Sequence, residues 1–220
     1  MPRIIGFFGT YPADICLYTA FALKNTGKSV CVADLSKEGV LHRCIPAPER
    51  GLAVLTYRGV DFIREAPLED WQDLEYEYVF VQLGRSPQEL CLAACDELAL
   101  VVDCERANLD FYNNLMRKAQ ASMSVILRNL CPDGVSGRMV KEYFERENCF
   151  VQKWLTLPFD EADEAYRIEM QYGTVHKFSH VSCGMERLLG QLLRMFLTDD
   201  GHGGILRAVK AAKKGKVIRS

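Results

Sequence analysis

The chain has 220 residues, of which 49% are hydrophobic and 25% charged, and its formal net charge is −2. That length fits one domain with a full core, and the near-neutral charge gives no global reason to expect nucleic acid as a partner. No apolar run approaches the ~18 residues that span a bilayer, and no signal-peptide pattern opens the chain, so the expectation is a soluble, cytoplasmic protein.

Nine cysteines are scattered, most of them in apolar segments, and read as small core residues in a reducing compartment. Cys91 and Cys95 share a helix face and His42 lies two residues from Cys44, but neither forms a C-x-x-C pair and no second pair at zinc spacing follows, so no metal site is expected.

The first 35 residues organise the rest. Residues 3–9 are an apolar run ending in glycine, 10–14 a short link, 15–26 a helix, and 29–33 a second strand closed by Asp34. This is a β-α-β unit, whose first loop is where many α/β proteins hold a phosphate on unpaired backbone N–H groups at a helix N-terminus. A phosphate loop reads G-x-x-x-x-G-K-[ST], whereas this chain reads Gly9-Thr10-Tyr11-Pro12-Ala13-Asp14-Ile15, with no lysine and no Ser/Thr pair. Asp14 puts a negative charge near where a phosphate would sit; it equally suits a first helical turn, where the dipole favours an acid.

Residues 35–49 read as a loop, and 52–57 with 60–63 as a hairpin around Arg58-Gly59. Residues 76–83 form a strand apolar enough to be buried on both faces, followed by a helix from Ser86-Pro87 to 94 and a strand at 98–104. A helix over 108–120, a strand over 124–130, a turn at 131–134, a helix over 137–147 and a strand over 150–157 continue the alternation. Strands alternating with helices of this length imply an α/β domain with a mainly parallel sheet and helices on both faces. Residues 160–172 are acidic with a short helix, 173–176 a turn, and 182–197 a long amphipathic helix that packs on the domain or pairs with a second copy.

The expected domain covers 1–198, with 199–220 a flexible basic tail after a glycine-rich hinge. Arg207, Lys210, Lys213 and Lys214, beside an apolar edge of Ile205, Leu206 and Val209, could meet an anionic membrane at the inner face; the alternative is a solvated tail, and nucleic acid is disfavoured.

Six segments in order, residues 3–9 with 20–27, 28–34, 76–84, 96–105, 125–129, and Trp154-Leu155-Thr156-Leu157-Pro158-Phe159-Asp160, resemble the MinD/ParA branch of P-loop ATPases over nearly the whole chain. The resemblance implies a vestigial nucleotide site at Gly9, Thr10, Tyr11, Asp14 and Ile15, with Asp34 beside the phosphates and Asn129 near an adenine. It also implies a homodimer, and a C-terminal amphipathic helix of the kind MinD-like relatives place on membranes. The departures fall on the chemistry: both family lysines of the first loop are absent, and Gln82 stands where a Mg²⁺-holding aspartate belongs. The implied function is therefore a non-catalytic scaffold, similar to the TadZ/CpaE type that places pilus and secretion machinery, with no cofactor required and ATP the one candidate. Two alternatives stay open: an atypical ATPase using Asp14 or Asp34 on a metal with Lys28 or Arg85, and an interaction module whose ligand lies on the 182–197 helix.

Overall fold

A computed structural model describes residues 1–46, 54–63, 68–117, 122–131, 134–146, 151–173, 177–197 and 202–218. Eight strands form one sheet: β1 (Arg3–Gly9), β2 (Val30–Asp34), β3 (Val54–Tyr57), β4 (Val60–Ile63), β5 (Tyr78–Gly84), β6 (Glu97–Val102), β7 (Ser122–Leu130) and β8 (Lys153–Pro158). Their order is β3-β4-β2-β5-β1-β6-β7-β8, and every pairing is parallel except the β3–β4 hairpin at one edge. The central strands carry apolar side chains on both faces because helices cover both; all seven residues of β5 are buried. Edge strand β8 alternates instead, with Leu155 and Leu157 buried between exposed neighbours.

Helices α1 (Ala13–Lys24), α2 (Val40–Cys44), α3 (Glu89–Ala93), α4 (Arg106–Met116), α5 (Gly137–Arg146), α6 (Glu161–Glu169), α7 (Cys183–Phe196) and α8 (His202–Lys213) connect and cover the strands. On one face α1, α7 and α8 enclose a core in which Phe7, Phe80 and Phe196 meet edge to face. On the other, side chains of α4 and α5 enclose Phe8, Tyr112, Phe144 and Trp71. Helix α1 is buried from Ala13 to Leu23, since the sheet lies beneath it and two helices lie against it. Apolar side chains on every side of the helix are what such a position demands.

The expected alternation of strands and helices is the one observed, with three corrections. The stretch 35–49 is not wholly a loop: Asp34 receives the N–H of Leu41 at 3.0 Å, and burial of Leu41 and Cys44 holds the short helix α2 in place. The helix expected from Ser86 begins later, because Gln88 keeps an extended backbone (φ −73°, ψ 145°) and α3 starts after it. The largest correction concerns the C-terminus. Residues 202–213 are helix α8 and not a flexible tail; Ile205, Ala208, Val209 and Ala212 are at most 1% exposed against the α1 face. The expected turn at 173–176 and hinge at 199–204 lie partly outside the described residues.

Specific contacts pin α8. Arg58, lying 4.0 Å over the Phe21 ring, donates to the Ala212 carbonyl at the helix C-terminus, where a cation is favoured. Lys213 pairs with Glu186 and donates to Val181 O at 3.2 Å, so it is engaged inside the fold. The apolar edge proposed for a membrane is likewise turned inward at Ile205 and Val209, leaving Leu206 outside. The 182–197 helix meets the same outcome: Met185, Leu188, Leu189, Leu192 and Leu193 are fully buried and Phe196 nearly so, which removes the apolar face on which a ligand or second copy would dock. No helix among the described residues is long and apolar enough to cross a membrane.

Burial pushes the thiols of Cys31, Cys44 and Cys95 up to about 12, which keeps them protonated, inert core residues. All eight described cysteines are free, and no group able to hold a metal occurs among the described residues.

Deleting residues 202–220 should expose the α1 face and destabilise the domain by about 4 kcal/mol or more. A truncated protein with the melting temperature of the full chain would show that α8 contributes nothing to the core.

Candidate functional site

The end of β1 passes directly into α1 through Thr10, Tyr11 and Pro12. Gly9 sits at φ 119°, and a Cβ there would lie 1.9 Å from the Val101 carbonyl, so the chain must be glycine at this point. The Thr10 N–H then donates to that same carbonyl at 2.7 Å, drawing the link down onto β6. Tyr11 takes a left-handed backbone (φ 55°) and leaves its ring 60% exposed. A cradle that encircles a phosphate needs several successive N–H groups turned toward it. Three residues, one of them a proline and another with its amide spent on the Val101 carbonyl, do not supply it.

The positive end of α1 is instead met from within the protein. Asp14 is 1% exposed and its Oδ1 accepts the Ile15 N–H at 2.8 Å. Arg128 of β7, also 1% exposed, donates to Asp14 Oδ1 at 2.9 Å and Oδ2 at 2.7 Å, a two-pronged pair. Its remaining donors reach Tyr11 O at 3.0 Å and Glu164 Oε1 at 3.1 and 3.2 Å. Burial alone would lower the Arg128 pKa, but the two carboxylates outweigh it and hold the guanidinium charged. Arg167 extends the network, binding Glu164 Oε2 at 2.7 Å and lying 4.2 Å over the Tyr11 ring. Burial would raise the Glu164 pKa, yet Arg167 and Arg128 together depress it below its ordinary 4.5.

Beside this network opens a cleft of about 450 Å³ at the carboxyl ends of β1, β2 and β5, the position where open α/β sheets receive ligands. The β1–α1 link forms one wall, residues of α2 and the loop before it a second, and Arg167, Met170 and Gln171 a third. Gln82 and Gly84 from the end of β5 and the neighbouring Arg85 complete it. Pairing of β1 with β5 slips by one residue between Phe7 and Phe8, beside Gln82. Gln82 is 2% exposed, and its Oε1 has no hydrogen-bond partner among the described residues.

Of the residues expected to form a nucleotide site, Gly9, Thr10, Tyr11 and Asp14 do line this cleft. Ile15 does not; it is fully buried in the core. Asp34 is engaged as a loop cap, its Oδ1 accepting from Ser36 N and Oγ at 3.0 and 2.6 Å and its Oδ2 from Leu41. Asn129 occupies a left-handed position (φ 58°) at an irregularity in the β7–β8 pairing, away from the cleft lining. Lys28 lies at the opposite end of the sheet, 3.1 Å from Glu77. Arg85 does line the cleft, while donating to Asn108 Oδ1 at 2.6 Å.

Sequence reasoning missed Arg128, Glu164, Arg167 and Arg43. Arg128 carried a usable signal: it directly follows the apolar run Val125-Ile126-Leu127 on a strand, and a guanidinium buried there requires a carboxylate.

No protein-family model matches the chain, and no curated protein sequence matches it. Solved structures do. A ParA family ATPase from Chlorobium tepidum has a TM-score of 0.62 at 20% identity, covering 88% of this chain and 99% of that one. The MinD cell division protein of Aquifex aeolicus has a TM-score of 0.63 at 13% identity, covering 90% and 98%. The pNOB8 ParA protein, solved bound to nonspecific DNA, has a TM-score of 0.56 at 12% identity over 96% and 99%. Likeness at such identities establishes the fold: a single α/β domain of ParA/MinD type.

Replacing Arg128 with Met should cost about 3–5 kcal/mol, because Asp14 is left as a buried, unpaired charge. The double variant Asp14→Leu/Arg128→Met should lose less than the sum of the single changes, read from denaturant unfolding as a double-mutant cycle. Strict additivity would show that the two do not act as a pair.

Glu164 gives a pH dependence of definite sign. Its folded pKa lies below the ordinary 4.5, so its contribution is present above that pH and is lost as the pH falls through the folded value. Melting temperature measured against pH should therefore drop more steeply below 4.5 in the native protein than in Glu164→Gln.

Proposed function

We propose that this chain uses a ParA/MinD-like fold as a non-hydrolysing localisation or assembly scaffold, of the TadZ/CpaE kind that serves pilus or secretion machinery. One observation carries the reading: the N-terminus of α1 is met by the Asp14 carboxylate, itself locked to Arg128. A triphosphate brought to that helix end would meet a carboxylate already paired with Arg128 where it needs free donors. Phosphoryl transfer depends on positioned cations and Mg²⁺. Among the described residues no lysine lines the cleft, and a neutral amide stands at Gln82 where a metal-holding acid would be needed.

As a scaffold, the chain acts through other protein chains, a second copy of itself among the proposed partners. Contact with an anionic membrane, if made through this end of the chain, rests mainly on the exposed Arg207, Lys210 and Lys214 and is electrostatic, since Ile205 and Val209 face the core and only Leu206 of the apolar edge stays outside.

Titration with Mg-ATP, followed by calorimetry and by phosphate release, tests the catalytic half of this reading. The expected outcome is no saturable binding in the micromolar range and no release above the protein-free rate. Turnover approaching about 1 s⁻¹, the lower range of ordinary enzymes, would overturn it. A fluorescent fusion in the native cell tests the other half: a discrete focus is expected, and uniform fluorescence would count against a localising role.

A further inference from the structure

The cleft has the features of a site for an occupant of its own. Its volume, about 450 Å³, is that of a small-molecule site, and its polar groups are segregated. At the end of β5, Gln82 Oε1 is an acceptor with no partner among the described residues, on a residue only 2% exposed. An unpaired buried acceptor is costly unless a donor arrives, and protein interiors rarely leave one. Arg43, Arg85 and Arg167 also line the cleft. Arg85 and Arg43 are exposed, and Arg43 has no hydrogen bond or ion pair among the described residues. Arg167 is committed on one side to Glu164 and Tyr11.

We propose that the cleft binds a small hydroxylated phosphate ester, of the size of a sugar phosphate, with a hydroxyl on Gln82 and its phosphate on the arginine rim. Asp14 sets this orientation: paired with Arg128, it closes the α1 N-terminus from within and leaves an anion no open helix end, so the charged end turns outward to Arg43 and Arg85. Glu38, another lining residue, adds a second acceptor for hydroxyl groups. A phosphate dianion suits the rim better than a carboxylate, since it presents three terminal oxygens to more than one guanidinium. The proposal rests on the non-hydrolysing reading, since it uses the same Asp14 and Gln82, and the titration below separates the two.

Calorimetric titration of the full chain with ribose 5-phosphate, ribose, inorganic phosphate and Mg-ATP decides the matter. Ribose 5-phosphate should bind about tenfold or more tighter than ribose or inorganic phosphate. Arg43→Ala, an exposed change that leaves folding intact, should weaken the ester about tenfold. Gln82→Leu should weaken the ester by a similar factor while leaving inorganic phosphate unchanged. An ester that binds no better than inorganic phosphate, or that is indifferent to Arg43→Ala, overturns this proposal alone. Mg-ATP binding more tightly than the ester would overturn the orientation and, if accompanied by turnover, the non-hydrolysing reading as well.

Discussion

Arg128 is an ion that follows the buried run Val125-Ile126-Leu127 on its strand, and such a group stays in a core only when its charge and its donors are met. Asp14, Glu164 and the Tyr11 carbonyl meet them. Those partners come from the β1–α1 link with the first turn of α1 and from α6, so one guanidinium fixes two separate pieces of chain around the end of β7. The arrangement also decides what α1 can do. A helix N-terminus left open is an anion site, whereas one closed by a carboxylate that is itself neutralised has no electrostatic reason to attract another anion.

The cleft follows from the same constraint. Because the β1–α1 link is held on β6 by the Thr10 amide and on Arg128 by the Tyr11 carbonyl, it forms a fixed wall and not a loop that wraps a ligand. Arg167 stacks on Tyr11 from the far side while paired with Glu164, so α6 and the link are coupled through ring and guanidinium. The cleft therefore keeps the location common to open α/β sheets while its chemistry is redistributed, with cations at the rim and an unsatisfied amide within.

The sheet was legible in the sequence because its signals are local and repeated: apolar runs such as Val79-Phe80-Val81 bounded by glycine, and helices of a dozen residues between them. The order of segments even pointed to the fold that the solved structures share. The C-terminal helix was misread because its glycines and basic residues give the composition of a linker, while its apolar spacing at Ile205, Ala208, Val209 and Ala212 is short. What settles it is tertiary: a face of α1 that is apolar all round needs a cover, and α8 is long enough to provide one. The site was legible only in part. Gly9 and Asp14 stand out locally, but Arg128 is 114 residues from Asp14, and nothing in either neighbourhood names the other. Asp34 and Asn129 were attractive by family position, yet a cap and a left-handed turn account for them, as the conformational habits of Asp and Asn predispose.

Asn25, just past the end of α1, grips the last described stretch from both sides, donating to the Lys216 carbonyl at 3.1 Å and accepting the Ile218 N–H at 2.6 Å. That end of α1 lies where β2 is about to enter the sheet, the same edge at which β1 begins with Arg3. Arg3 and the described stretch at Lys216–Ile218 therefore lie at the amino ends of the central strands, while the cleft opens at their carboxyl ends, so anything bound at one end of the sheet leaves the other open to solvent.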